Sequence, residues 1–192
     1  MNWIESRRDD TLVTRKCSKE KPRRGDILVN NIREDNPRMA DTYSQITIHS
    51  VFAVKHRGNF ITKDWRDILH RYISGIITNK GAKSLAVGGW RDHVHILFGL
   101  PVTISLSDFM SAVKANSSKW INEQHFVKGK FQWQSGYGAF SFSKSQRDVV
   151  INYIMNQEEH HKTRSFKEEY LKMLKDFEVG FDDQYLFEFY GE

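Results

Sequence analysis

The sequence predicts an α+β fold: a ferredoxin-like antiparallel sheet with helices packed on one face, followed by a further helix toward the C-terminus. Three observations carry this. Periods of 2 and 3.6 alternate along the chain in the order β-α-β-β-α-β-α. The 192 residues are enough for one domain with its own core. Hydrophobic content of 39% and aromatic content of 13% suit a packed chain, and no repeat or low-complexity tract interrupts it.

The pattern begins at Tyr43. Ile46, Ile48, Phe52 and Val54 alternate with Gln45, Thr47 and His49, which predicts a half-buried strand. Trp65, Ile68, Leu69, Tyr72, Ile73, Ile76 and Ile77 fall on one helical face, and Gly81 suits a left-handed cap after it. Lys83 to Trp90 and His93 to Leu100 read as two strands joined by a turn at Arg91-Asp92, with Pro101 closing the second. Ser105 with Asp108 resembles a capping box opening a helix to Glu123, with Phe109, Met110, Val113, Trp120 and Ile121 as its buried stripe. Residues 131–143 are aromatic and glycine-rich and predict a fourth strand with a loop. Ser145 with Asp148 predicts the start of a third helix reaching about His161, and a fourth runs from Phe166 to Phe177. The tail from Phe181 to Tyr190 is too apolar to float and is expected to dock.

Bulk properties exclude some classes. The longest apolar stretch, Val94 to Ile104, is interrupted by His95, Gly99, Pro101 and Thr103 and is too short to cross a bilayer. Cys17 is the only cysteine, so an internal disulfide and a thiolate zinc cluster are both excluded and a reducing cytosol fits. Glu5, Arg7, Arg8, Asp9 and Asp10 stand where a secretory signal would carry its apolar core. The net charge of +5 admits a polyanionic partner without demanding one. Neither GxxxxGK[ST] nor GxGxxG occurs, so no nucleotide cofactor is expected.

Two clusters carry chemistry. In a strand, residues i and i+2 point the same way, so His93 and His95 share a face while Val94, Ile96 and Phe98 join the core on the other. The imidazoles then sit roughly 7 Å apart along the strand, within reach of one metal ion. On the helix Gln146–His161, Tyr153, Gln157 and His161 form one stripe at i, i+4 and i+8. A phenol then stands one turn from an amide oxygen that can ligate a metal. Taken singly, each of these residues has an ordinary structural role; the weight lies in the combination.

That combination resembles the single-tyrosine HUH transposases of small insertion sequences (the insertion sequence 200 type). The resemblance covers roughly residues 43–178. It rests on Trp90-Arg-Asp-His-Val-His-Ile-Leu97, on Lys114 with Ser117-Ser-Lys-Trp-Ile121, on Trp133-Gln134 with Gly136-Tyr-Gly-Ala-Phe-Ser141, and on Tyr153-Ile-Met-Asn-Gln157 followed by His160-His161. It implies that His93, His95 and Gln157 hold one divalent cation, Mg or Mn, and that Tyr153 attacks a phosphate of single-stranded DNA. The products would be a 5′-phosphotyrosine and a free 3′-hydroxyl. It further implies hairpin DNA ends as substrate, the cytoplasm of a bacterium or archaeon, and a homodimer in which the tyrosine helix of one subunit can complete the site of the other. The chemistry is sound on its own terms: a phenol with a pKa near 10 needs a polarised phosphate to attack, which one cation supplies. Two imidazoles suit Mn, Zn or Fe better than Mg.

Lys55, Arg57, Lys114 and Lys119 are candidate DNA contacts, and Trp133 and Tyr137 candidate stacking residues. A competing reading is an RNA-recognition (RRM-like) binding module, since Gly136 to Phe142 partly matches that motif. Ser135 departs from it at the basic position, and the module leaves His93, His95 and Gln157 unexplained. A domesticated hairpin-DNA endonuclease would share the same pattern. Residues 1–42 hold ten Lys/Arg, eight Asp/Glu and one aromatic, Trp3, without a period. A disordered extension is expected there, with the working domain over 43–192.

Overall fold

The computed structural model describes residues 43–56 and 60–190; the extension expected over 1–42, and Arg57, lie outside them. Four strands, β1 (Thr47–Ala53), β2 (Lys83–Gly89), β3 (His93–Gly99) and β4 (Gly138–Ser141), form one sheet in the order β2-β3-β1-β4. Every neighbouring pair is antiparallel. This is the ferredoxin-like order, reached by the connections through α1 (Lys63–Asn79) and α2 (Leu106–Glu123).

Those two helices cover one face. Leu69, Ile73 and Ile77 of α1 and Phe109, Met110 and Val113 of α2 meet Phe52 of β1 and Val94, Ile96 and Phe98 of β3 in the main core. Burying each such side chain contributes roughly 1.5–3 kcal/mol. Gly81, at φ +75°, follows the end of α1, and its N–H donates to Thr78 O. Ser105 Oγ accepts from Asp108 N at 3.1 Å to open α2.

The second face is also covered, which corrects the expectation of helices on one face only. α3 (Arg147–Met155) packs Val150 and Ile154 on Ala86 and Leu97. α5 (Phe166–Asp176) packs Phe166, Tyr170 and Leu174 on Val51, Ala53 and Phe140. For this reason all seven residues of β1 are buried, where simple alternation predicts only half. The tail docks as expected: Phe187 and Phe189 pack on Phe166 and Tyr170, and Gln134 bonds the backbone of Glu188 on both sides.

Two local details differ from expectation. The capping box before α3 is Ser143 with Gln146, on a short 3-10 turn over Lys144–Gln146, rather than Ser145 with Asp148. The helix expected through His161 breaks at Asn156 (φ −101°, ψ 24°) and resumes as α4 (Gln157–His160). Asparagine readily leaves helical geometry because its side chain competes for nearby backbone groups; here Asn156 Nδ2 donates to Asn152 O.

Candidate metal and tyrosine site

β3 turns His93 and His95 away from the main core onto the face that α3, α4 and α5 cover. Their neighbours across the sheet are small: Ala53 and Val51 on β1, and Gly88 beside His95 on β2. Gly88 also sets the height of α3. A Cβ there would lie 2.2 Å from the Ile154 carbonyl oxygen, so only glycine lets the helix backbone come this close.

Each histidine is oriented from behind. His93 Nδ1 is 2.7 Å from Asp92 Oδ1, a carboxylate that fixes the proton on Nδ1 and leaves Nε2 with its lone pair. His95 Nδ1 is 2.9 Å from His49 Nε2, and the two rings stack. For His95 Nε2 to offer a lone pair, Nδ1 must donate to His49. Both ring pairs therefore aim Nε2 at one point.

Gln157 and Glu169 close that point from the other side. Gln157 Oε1 lies 3.2 Å from His93 Nε2 and 2.9 Å from His161 Nε2. Glu169, from α5, sits 3.3 Å from His95 Nε2 and 3.5 Å from His93 Nε2. The Tyr153 hydroxyl donates to Glu169 Oε1, and Gln157 Nε2 donates to the same oxygen at 3.0 Å. The Tyr153 ring is 5.7 Å from that of His95. Tyr153, His93, His95 and Gln157, read from different segments of the sequence, thus meet within one chain, although Tyr153 and Gln157 belong to separate helical pieces.

The donor set fits a cation. One ligand atom from each of His93, His95 and Glu169 lies within 4.8 Å of the others. Ligands about 2.1 Å from a common ion at right angles stand about 3 Å apart, close to the 3.3 and 3.5 Å separations here. His95 Nε2 and Glu169 Oε2 are buried without a hydrogen-bond partner, which is costly unless a charge is placed between them. Adding a carboxylate oxygen to two imidazoles makes the site more hospitable to Mn or Mg than the histidines alone.

The electrostatics agree. Burial pushes the Glu169 carboxyl up to about 7 against the opposing pull of His93 and His49. Burial, then the charge of His93, holds His95 well below the usual imidazole range, and the same causes take His161 down to about 4. For His93 burial acts downward, but the Asp92 bond and charge, with Glu169 and Gln157, outweigh it and raise it.

The other candidates fall elsewhere. Lys114 Nζ donates to the carbonyls of Gln134, at 2.8 Å, and Gly136, tying down the loop before β4. Lys119 is exposed and pairs with Glu123 at 3.8 Å. Both stand on α2, whose buried stripe packs on the sheet face opposite the histidines. Lys55 is exposed just after β1. Trp133 and Tyr137 pack with the main core, and Trp133 Nε1 donates to Ser117 Oγ at 3.0 Å. An RRM-like module would need an open sheet face for bases to stack on, and here helices lie on both faces. Sequence reasoning missed Glu169 and His49. The available signal for Glu169 was an acidic residue inside the apolar stripe of Phe166, Tyr170, Met173 and Leu174.

Comparison with known proteins matches a family model described as "Transposase IS200 like" over residues 42–157. The transposase for insertion sequence element IS200 of Salmonella typhimurium is 28% identical over 133 residues, 67% of this chain and 87% of that protein. The ISDra2 transposase TnpA of Deinococcus radiodurans is 23% identical over 118 residues, 59% of this chain and 84% of its own. A crystal structure from Deinococcus radiodurans, assigned as a transposase, superimposes with a TM-score of 0.51 at 24% identity, covering 62% of this chain and 96% of that one. That last likeness concerns the fold. No helix among the described residues is long and apolar enough to cross a membrane.

Proposed function

The chain belongs to the IS200-like transposase family, and we propose that it cuts and rejoins single-stranded DNA by attack of Tyr153 on a phosphodiester. The observation that carries this reading is the contact of the Tyr153 hydroxyl with Glu169 beside the His93–His95 pair. His93, His95 and Glu169, with Gln157 Oε1 alongside, would hold one divalent cation, Mn or Mg. Such an ion, when bound, polarises the phosphate and stabilises the departing oxygen.

The protein supplies the rest. Gln157, through its bond to Glu169 Oε1, holds that oxygen toward the phenol. Glu169 Oε1, already accepting from Tyr153, takes the phenol proton as the O–P bond forms. The bond from phosphorus to the 3′ oxygen breaks and that oxygen takes up a proton from solvent, leaving a 5′-phosphotyrosine, a 3′-hydroxyl and the phenol proton on Glu169. Attack of a 3′-hydroxyl on the adduct reverses the step and rejoins a strand, so the phosphodiester energy is conserved and no nucleotide cofactor is needed. DNA with hairpin ends is the proposed substrate and a homodimer the proposed assembly. With the nucleophile and the ligands meeting in one chain, each subunit carries a full set. A domesticated endonuclease would differ only in the DNA that it meets.

The test is direct. The protein is incubated with single-stranded hairpin DNA and Mn, and a covalent adduct is sought on a denaturing gel. The adduct should vanish in Tyr153→Phe and with chelator. Cleavage retained in Tyr153→Phe would replace the tyrosine with a metal-activated water and overturn the reading.

A further inference from the structure

Arg164 occupies the turn between α4 and α5. Its backbone carbonyl accepts from His161 Nδ1 at 2.9 Å, and the same imidazole presents Nε2 3.2 Å from His93 Nε2. The arginine is therefore anchored one ring away from the histidine pair. It lines two openings. One, of about 130 Å³, also holds Tyr153, His160, Glu169 and Lys172. The other, again about 130 Å³, also holds Trp90, Arg91, Asp92 and His161.

The cations around these openings differ in how they are engaged. Arg66 bonds Glu158 at 2.8 Å and lies over the Trp90 ring. Lys172 pairs with Asp176 at 2.5 Å, and Lys162 with Glu159 at 2.6 Å. Arg91 and Arg164 are both exposed and make no close ion pair among the described residues; Arg164 acts on Glu168 only through its charge, and Arg91 is steadied by the ring of Phe60, 5.2 Å away. Exposed guanidiniums normally find a carboxylate or water. Two without a close carboxylate, lining neighbouring openings onto a buried site rich in acid (Asp92, Glu169), suit a ligand that brings its own negative charges in a row.

We propose that Arg164 and Arg91 form a rail for consecutive phosphates of the DNA strand, Arg164 gripping the scissile phosphate beside Tyr153 and Arg91 the next phosphate beyond the histidines. This rests on the reading above that the substrate is single-stranded DNA. A planar guanidinium can bind two non-bridging oxygens at once, which fixes the phosphate's orientation as well as its position. Arg164 thereby orients the phosphorus toward the phenol, while Arg91 only adds grip. Neither role falls to Lys114 or Lys119, which lie on the helix across the sheet.

The test uses the full chain and a fluorescein-labelled oligonucleotide with a hairpin and a single-stranded flank. Binding is followed by anisotropy from 50 to 200 mM salt, roughly the range over which phosphate contacts are felt. Arg91→Gln and Arg164→Gln should each weaken binding by about tenfold. Each should also flatten the plot of log affinity against log salt by about 0.7, the value for one contact on a single strand. Arg164→Lys should recover the slope, since the charge is restored, but not the rate of adduct formation at saturating DNA. Arg91→Gln should raise the DNA concentration needed for half-maximal adduct formation by about tenfold, in step with its loss of binding. Wild-type affinity and slope in the double variant would overturn the proposal, as would full adduct rate in Arg164→Gln. The binding measurements stand without cleavage: a wild-type protein that binds with the expected slopes yet forms no adduct would remove the tyrosine mechanism and keep the rail.

Discussion

Phe166 lies flat on the His93 imidazole, with ring centroids 4.0 Å apart and planes 5° from parallel. Three residues on, the same helix delivers Glu169 to the Nε2 atoms of both strand histidines. The spacing is helical, and its register is fixed by Ser165, which caps the helix in a reciprocal box with Glu168. One cap thus sets where a ring covers a ligand and where a carboxylate meets it.

Glu169→Gln should change both metal binding and pH dependence. The folded carboxyl sits at about 7, above its ordinary value of 4.5. The folded protein therefore holds a proton that the unfolded chain has given up between those values. The resulting stability is fully present below 4.5 and is lost as pH rises through about 7. It amounts to on the order of 3 kcal/mol. In metal-free protein, the difference in melting temperature between wild type and Glu169→Gln should move in favour of the variant from pH 5 to pH 8. Added Mn at pH 8 should raise the wild type and leave the variant nearly unmoved. Equal Mn stabilisation of both proteins would exclude Glu169 from the site.

Gly88→Ala should separate the tyrosine helix from the sheet. The added Cβ would stand 2.2 Å from Ile154 O and 2.9 Å from Ile154 Cγ2. Overpacking of this kind costs about 1–3 kcal/mol, readable as a lower urea midpoint. Adduct formation should fall further than stability explains, because α3 carries Tyr153 and must shift. A variant with wild-type midpoint and wild-type activity would show that the helix is not held at this height.

Mixed subunits should fail to complement. Tyr153 and the histidines meet in one chain, with the phenol already bonded to Glu169. Combining Tyr153→Phe with His93→Ala protein, and confirming heterodimers by tagged pull-down, should give no adduct above the single variants. Recovery in the mixture would mean that the helix is exchanged between subunits when DNA is bound.

How far the residues foretold this site depends on which layer they belong to. The shared face of His93 and His95 followed from the period of a strand. The meeting of Tyr153 with Gln157 followed from a helical stripe, even though Asn156 breaks that helix. His49 was hidden because alternation separates two faces without saying what covers the second. Thr47 and His49 read as the wet side of β1, yet helices nearly a hundred residues later make that side dry. Glu169 was hidden for the same reason, since a carboxylate on an apolar stripe acquires meaning only once the stripe is laid against the histidines. Lys114 misled in the opposite direction. Its charge is legible, but the carbonyls of Gln134 and Gly136 that engage it belong to a loop whose path depends on the whole sheet.

The contacts of Glu169 also order events in time. The chain emerges from its N-terminus, so the histidine pair is synthesised long before the helix that supplies the carboxylate and the aromatic cover. Pairings this remote in sequence form late, because the intervening loop must close first. A growing chain on the ribosome would hold two uncovered imidazoles and no acid to complete them. On the function proposed above, a site that needs Glu169 is complete only once synthesis has passed the last helix.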